Sequence, residues 1–341
     1  MKRLILLIAA FVILSGHDLY LKMDTYFLPP NTEAVLQLYN GTFHDSDNVI
    51  DRDRMIDVSV VGSGQHQHPD TTQWTEQDDK TLLSIRTGQP GTYVAGVSTR
   101  ARIIDLAAAD FNNYLEHDGV LDMLEWRKAN GAMDQDATEK YAKHVKAIFQ
   151  VGDQQTADWQ TRLGYPIEFV PLANPYHLHE GEDLPVQLLW QGEPLPNQLV
   201  YANSVAGTHT HEHTHADGTT HTHDHADGSH SHDHDEGDAH QHNNDQQMRT
   251  NAEGIITLQA PGDGIWYLRT IRLVRSDAPE LTHESEWATL TFEIGNRHSH
   301  GETTHTHGEE EEQGIPTYAF VLVSIALIGG LYLWFNRKNR A

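Results

Sequence analysis

Cysteine is absent from this chain of 341 residues. Without thiols the protein has no disulfide, no thiolate metal site, no cysteine nucleophile and no cysteine for lipoprotein acylation. Basic residues are also scarce, since 23 Lys and Arg stand against 49 Asp and Glu and give a formal net charge of −26. Nucleic acid and anionic membrane surfaces repel so acidic a chain, so the composition favours cations as partners.

Two common catalytic motifs are missing as well. The sequence contains no Gly-x-Ser-x-Gly nucleophile elbow and no phosphate-binding loop. A copper oxidase built on an N-terminal histidine would need a second set of ligands, and no spacing in the sequence indicates one. We therefore expect a binding protein and not an enzyme.

Long apolar runs occur at the two ends of the chain. The first, in residues 1–16, follows two basic residues and ends in small ones, which is typical of an export signal cleaved after Gly16. The second, 315–335, is long enough to cross a hydrocarbon core of roughly 30 Å. A basic tail, 336–341, follows it and places the C-terminus in the cytoplasm. We predict a single-pass protein of the bacterial inner membrane with a periplasmic ectodomain.

Cleavage after Gly16 gives the mature chain an N-terminal histidine, His17. Its α-amine and its ring Nδ1 together form a two-nitrogen chelate for a metal ion. A third ligand from the fold is needed, and the sequence does not identify it. The alternative is that His17 merely follows the cleavage point.

Residues 208–242 form a tract of His, Thr, Ser, Asp and Gly with almost nothing apolar, so we expect it to be disordered. Most of its histidines alternate with another residue, and in an extended chain such residues point to one side. Neutral imidazole binds nickel, cobalt, zinc and copper. The alternative is a solubilising or pH-responsive loop. A second cluster lies in a polar His/Glu stalk, 296–314. With the N-terminal residue, the predicted metal ligands are His17, His209, His211, His213, His215, His221, His223, His225, His230, His232, His234, His240, His242, His298, His300, His305 and His307.

Short alternating strands separated by Gly and Pro turns predict a mainly β protein. Residues 17–104 favour an N-terminal antiparallel β-sandwich. Residues 153–295 favour an immunoglobulin-like sandwich in which the histidine tract is a long loop between two strands. Between them, in 105–152, apolar residues recur near helical spacing and predict an inserted helical hairpin, with helices over 107–126 and 137–149.

Several short blocks share a family pattern. They are HDLYLK at 17–22, YFLPPN at 26–31, LYNGTF at 38–43, GYPIE at 164–168, GIWYLRT at 264–270 and EWATLTFE at 286–293. In this order they resemble the DUF4198 family and cover most of the predicted ectodomain. Bacterial members of that family are grouped with periplasmic components of nickel and cobalt uptake systems, and they tend to carry a histidine just after the signal peptide. The resemblance therefore implies a role in metal handling and supports His17 as a ligand, whereas the long tract is not part of the family pattern.

Two functions are consistent with these patterns. The first is a membrane-anchored extracytoplasmic protein that binds divalent transition metal and buffers it or passes it to a membrane metal transporter. The second is an anchored β-sandwich module for adhesion or assembly, with an incidental or pH-responsive histidine loop. Metal titration distinguishes the two, because the second function needs no ion.

Overall fold

The computed structural model describes residues 17–178, 181–205, 211–214, 220–223, 245–259 and 262–295. In these residues twenty strands and two α-helices form, and they belong to one unit, Met1–Asn296. The helices are α1 (Ala108–His117) and α2 (Leu121–Ala129). The strands are β1 (Asp18–Lys22), β2 (Phe27–Leu28), β3 (Glu33–Gly41), β4 (Met55–Gly62), β5 (Gln65–Gln67), β6 (Trp74–Gln77), β7 (Lys80–Arg86), β8 (Gly91–Thr99), β9 (Arg102–Leu106), β10 (Ala137–Val151), β11 (Ile167–Pro171), β12 (Asp183–Trp190), β13 (Glu193–Pro194), β14 (Leu199–Val205), β15 (His211–Thr214), β16 (Thr220–His223), β17 (Gln246–Arg249), β18 (Ile255–Gln259), β19 (Gly264–Arg275) and β20 (His283–Ile294).

A ten-stranded sheet joins the early and late parts of the chain. Its strand order is β17-β14-β19-β20-β10-β8-β4-β5, and β2 and β9 also pair with β10. Strand β10 is antiparallel to β8 and parallel to β20, with Glu139 opposite His283. Parallel strands cannot be joined by a tight hairpin, so this pairing brings together segments that are distant in sequence.

Two smaller sheets cover opposite faces of the large sheet at β10. The first has the order β1-β3-β7-β6, and its Leu38 shares a buried cluster with Phe149 of β10. The second consists of β11, β12 and β13, with β18 beside β12, and its Phe169 shares another buried cluster with Ile148 of β10. Neighbouring residues of a strand point to opposite faces, so β10 is covered on both sides. Burial of each such side chain stabilises the fold by about 1.5–3 kcal/mol.

The helix predicted over 137–149 is wrong, because these residues lie in β10. Val145 and Phe149 face one apolar cluster, whereas the alternate face carries the buried polar residues His144 and Lys146 beside Ile148. His144 Nε2 lies 2.7 Å from a carboxylate oxygen of Glu286. These buried polar residues hide the two-residue period of the strand, and the remaining apolar residues happen to fall at helical spacing.

The predicted division into two antiparallel sandwiches also differs from the structure. The ten-stranded sheet takes β4, β5 and β8 from the first predicted sandwich and β14, β17, β19 and β20 from the second. The boundaries at 104 and 153 therefore do not separate the sheets, and the parallel pairing of β10 with β20 departs from a purely antiparallel design. The mainly β class is confirmed. The tract does connect two strands, β14 and β17, which are antiparallel neighbours.

The first part of the predicted helical segment is confirmed by α1 and α2. Both helices pack on the end of the large sheet, where Phe111 and Leu124 share a buried cluster with Trp287 of β20. The rings of Tyr114 and Trp287 stack at 5.9 Å between centroids.

The predicted signal peptide (1–16), stalk (296–314), membrane span (315–335) and tail (336–341) lie outside the described residues. Within the described part of the chain, every helix is too short or too polar to cross a membrane.

Candidate functional site

His17 lies beside the turn that follows β3. Strands β1 and β3 are antiparallel with Asp18 opposite Gly41, so the residue before β1 meets the loop after Gly41. That loop folds back on itself, because the Asp47 amide donates to the Asn40 carbonyl at 3.0 Å. Nδ1 of His17 stands 2.9 Å from Oδ2 of Asp47, and the two side chains are 28% and 41% exposed. An imidazole nitrogen and a carboxylate oxygen thus meet where an ion from solvent can reach both.

A buried lysine fixes the backbone of His17. The Lys143 ammonium, on β10, donates to the His17 carbonyl oxygen and lies 3.4 Å from Oδ1 of Asn40. It also lies over the Trp287 ring, at 4.8 Å from the centroid. Burial lowers the pKa of Lys143 to about 8, against the opposing effect of Asp18. The position of His17 is therefore set by the large sheet as well as by β1.

A charged network lies next to His17 in the interior. Arg269 Nε stands 3.6 Å from Oδ2 of Asp18 and 3.5 Å from Oδ2 of Asp245, and all three side chains are buried. The Tyr20 hydroxyl donates to Asp18 at 3.0 Å. Burial disfavours the charged guanidinium, but the surrounding carboxylates outweigh it and raise the pKa of Arg269. This network ties β1 to β19, so its role is to hold the residues next to His17 in place.

A further carboxyl group, that of Asp118, is buried beside this network. Burial, reinforced by the charge of Asp18, raises the pKa of Asp118 well above its usual value. Arg269 donates to the Asp118 carbonyl at 2.9 Å and not to its side chain. Burial and the charge of Asp18 both favour the neutral form of the Asp118 carboxyl group.

Part of the histidine tract forms a two-stranded antiparallel ribbon of β15 and β16. His211 stands opposite His223, and His213 stands opposite His221. Directly opposite residues, and residues two apart, share one face of such a ribbon, so these four positions lie on the same face. The prediction that the whole tract is disordered is wrong at these two strands, where Thr residues between the histidines favour extended chain.

Residues 211–215 also match the HExxH motif, in which the two histidines bind zinc from one face of a helix. Residues 211–214 form a strand, so that arrangement does not occur here. The other predicted ligands lie outside the described residues. They are His209, His215, His225, His230, His232, His234, His240, His242, His298, His300, His305 and His307.

Asp47 is the residue that sequence reasoning missed. Its only local signal is an acidic loop after a strand, and its contact with His17 depends on the register of β1 against β3. In the described part of the chain no group of three His, Asp or Glu side chains is already arranged to hold a metal ion. A complete His17 site therefore also needs the α-amine that cleavage after Gly16 would supply.

Comparison with known proteins gives a family but no function. The model of a family described as a domain of unknown function, DUF4198, matches residues 14–272. The search of curated proteins finds no match. The D0-D1 domain of intimin is a solved structure with 10% identity and a TM-score of 0.17, over 81% of this chain and 97% of that one. The adhesin InvE of Yersinia pseudotuberculosis gives 13% identity and a TM-score of 0.18, over 81% of this chain and 58% of that one. Scores this low do not establish a common fold.

Proposed function

The chain belongs to the DUF4198 family, and from this premise we propose that it is a membrane-anchored extracytoplasmic protein that binds a divalent transition metal ion. Nickel, cobalt, zinc and copper are the candidate ions. The observation that carries the proposal is the 2.9 Å contact between Nδ1 of His17 and Oδ2 of Asp47. The bound ion is a cargo that the protein buffers or hands to a membrane metal transporter.

The donor set suits these ions. Two ligand atoms that are each about 2.05 Å from an ion, at a right angle, stand about 2.9 Å apart. In the metal-free protein a hydrogen bond between His17 and Asp47 keeps the two atoms at this spacing. The α-amine of a chain cleaved after Gly16 adds a second nitrogen next to the ring. Nitrogen donors with one carboxylate are typical of nickel and copper sites.

The histidine tract adds capacity to this single site. Four of its histidines stand in directly opposite pairs on β15 and β16, so four potential ligands belong to one short ribbon. Sites of this kind bind weakly and exchange fast, so the tract serves to raise the local ion concentration. The formal charge of −26 favours the approach of cations to the whole protein.

The test is calorimetric titration of the mature full-length protein in nanodiscs with nickel and copper. Asp47→Asn removes the carboxylate ligand, and an alanine inserted before His17 displaces the α-amine. We expect each change to weaken the tightest site at least tenfold, which is about 1.4 kcal/mol. Asp45→Asn is the matched control, because Asp45 is an exposed carboxylate of the same turn.

Deletion of 208–242 should remove weak sites and leave the tight one. If the tightest site is indifferent to both Asp47→Asn and the inserted alanine, His17 is not its ligand. If the protein binds none of the four ions near neutral pH, metal binding is wrong, and an anchored module that recognises protein or glycan becomes the better hypothesis.

A further inference from the structure

A second group of histidines lies on the hairpin of β4 and β5, at one edge of the large sheet. His66 and His68 are separated by one residue and both are exposed. Asp57 and Ser59 have the same spacing on β4. The register pairs Val61 with His66, so its continuation brings His68 opposite Ser59. All four side chains therefore belong to one face of the hairpin.

Their polar atoms converge on the hydroxyl of Ser59. Oγ of Ser59 lies 3.1 Å from Nε2 of His66 and 3.3 Å from Nδ1 of His68. The same hydroxyl donates to Oδ2 of Asp57 at 2.8 Å. Nδ1 of His68 stands 3.3 Å from Oδ1 of Asp57, and the two imidazole centroids are 4.3 Å apart.

These separations match the edges of a tetrahedral metal site. Ligand atoms about 2.0 Å from a tetrahedral ion stand about 3.3 Å from one another. Three of the six separations among Ser59 Oγ, His66 Nε2, His68 Nδ1 and Asp57 Oδ1 lie between 3.1 and 3.3 Å. As the side chains stand, no group of three His, Asp or Glu among the described residues is placed to hold an ion, so binding requires the exposed His66 ring to turn toward Asp57.

A buried tyrosine orients the carboxylate of Asp57. The hydroxyl of Tyr165 donates to Oδ2 of Asp57 at 2.7 Å. Tyr165 is buried, and burial with the nearby Asp57 raises its pKa, so the phenol stays protonated as a donor. Outer partners of this kind orient a metal ligand and fix which oxygen faces the ion. Asp57 is 29% exposed and His68 61% exposed, so an ion can enter from solvent.

A serine nucleophile is a poorer explanation of the same residues. In a Ser-His-Asp triad the imidazole contacts the carboxylate through Nδ1 and the serine through Nε2. Here Nδ1 of His68 faces both Asp57 and Ser59.

We propose that His66, His68 and Asp57 form a second binding site for a divalent transition metal ion. Zinc and copper are the candidate ions. The Ser59 hydroxyl or a water molecule is the fourth ligand. The site shares no residue with the His17 site and does not depend on cleavage of the chain. Failure of this proposal would therefore leave the proposed function at His17 untouched, and the reverse also holds.

The experiment uses the full-length chain with the other candidate sites removed. An alanine precedes His17, a Gly-Ser linker replaces 208–242, and glutamines replace the four stalk histidines. Zinc is titrated by calorimetry, and copper bound at one equivalent is examined by electron paramagnetic resonance. We expect one site per chain, with nitrogen hyperfine splitting from two imidazoles.

The double variant His66→Gln/His68→Gln in this background should weaken zinc binding at least tenfold and abolish the two-imidazole splitting. The control is His117→Gln/His177→Gln, which changes two other exposed histidines and should leave both signals unchanged. Near-ultraviolet circular dichroism verifies that each variant is folded. Absence of a site in the background chain, or a site that survives loss of His66 and His68, overturns the proposal.

Discussion

Protonation of one buried histidine should make the fold sensitive to acid. His283 begins β20, where its Nδ1 lies 2.7 Å from the hydroxyl of Thr282 and its ring lies 4.7 Å from that of Phe111. Its Nε2 is buried and has no hydrogen-bond partner among the described residues. Burial, reinforced by Arg127 and Arg275, lowers the pKa of His283 to about 4 from an ordinary value of 6.5.

The sign and size of the effect follow from these two pKa values. Between pH 6.5 and pH 4 the unfolded chain binds a proton at His283 and the folded chain does not. The free energy of unfolding is therefore highest above pH 6.5, where His283 is neutral in both states. It decreases as the pH falls toward 4. Between pH 7.5 and pH 5 the free energy of unfolding should fall by about 2 kcal/mol through this residue alone.

The assay is urea unfolding of the wild type and of His283→Phe at pH 7.5 and pH 5, with a chelator present to exclude metal effects. The other histidines are common to both proteins, so their contributions cancel in the comparison. The variant should lose about 2 kcal/mol less than the wild type over this range. Leu115→Ala, in the buried cluster that contains Phe111, is the control and should lower the free energy of unfolding equally at both pH values. Equal pH-dependent losses in the wild type and His283→Phe would refute the reasoning.

Two further predictions concern the large sheet and a turn. Lys146 of β10 is buried and donates to Glu168 at 3.0 Å, so Lys146→Met should destabilise the fold by about 3–5 kcal/mol in urea unfolding. Replacement of both partners by Met and Leu should cost less than this single change, and an equal or larger cost would show that no buried charge was left unpaired. Gly254 has a φ of +70°, and an added Cβ would lie 2.8 Å from two backbone atoms, whereas Gly131, with a φ of +63°, faces open space. Gly131→Ala should cost about 1–2 kcal/mol and Gly254→Ala clearly more, as thermal unfolding would show; equal costs would contradict the backbone contact.

Local patterns in the sequence predicted most of the elements. Apolar residues at 56–61, 92–97, 184–190 and 265–274 predict strands that form as β4, β8, β12 and β19, because each has at least one continuous apolar face. The failure at β10 has a physical cause. Its polar residues are paired inside the protein, as with Lys146 and Glu168, and such pairing depends on a neighbouring strand and leaves no trace in the hydrophobic pattern.

The architecture and the sites depend on contacts between distant segments. Nothing near β10 in sequence indicates that β20 lies parallel to it, since 144 residues separate Glu139 from His283. The same limit applies to Asp47, which meets His17 through the register of two strands. The His-x-His spacing of His66 and His68 was visible in the sequence, but the convergence on Ser59 required the pairing of β4 with β5. The export signal, the membrane span and all of the histidine metal ligands stay predictions.

The position of the histidine tract has a consequence for how this protein can evolve. The tract enters after Val205 and returns at Asp245, between the antiparallel neighbours β14 and β17 at an edge of the sheet. Each doubling of such a connection costs only about 0.6 kcal/mol in closure entropy. The repeated His-Ala-Asp-Gly units at 215–218 and 225–228 are what slippage during replication would leave behind. The length of the tract can thus grow or shrink by whole repeats, while the strands that carry it keep their pairing.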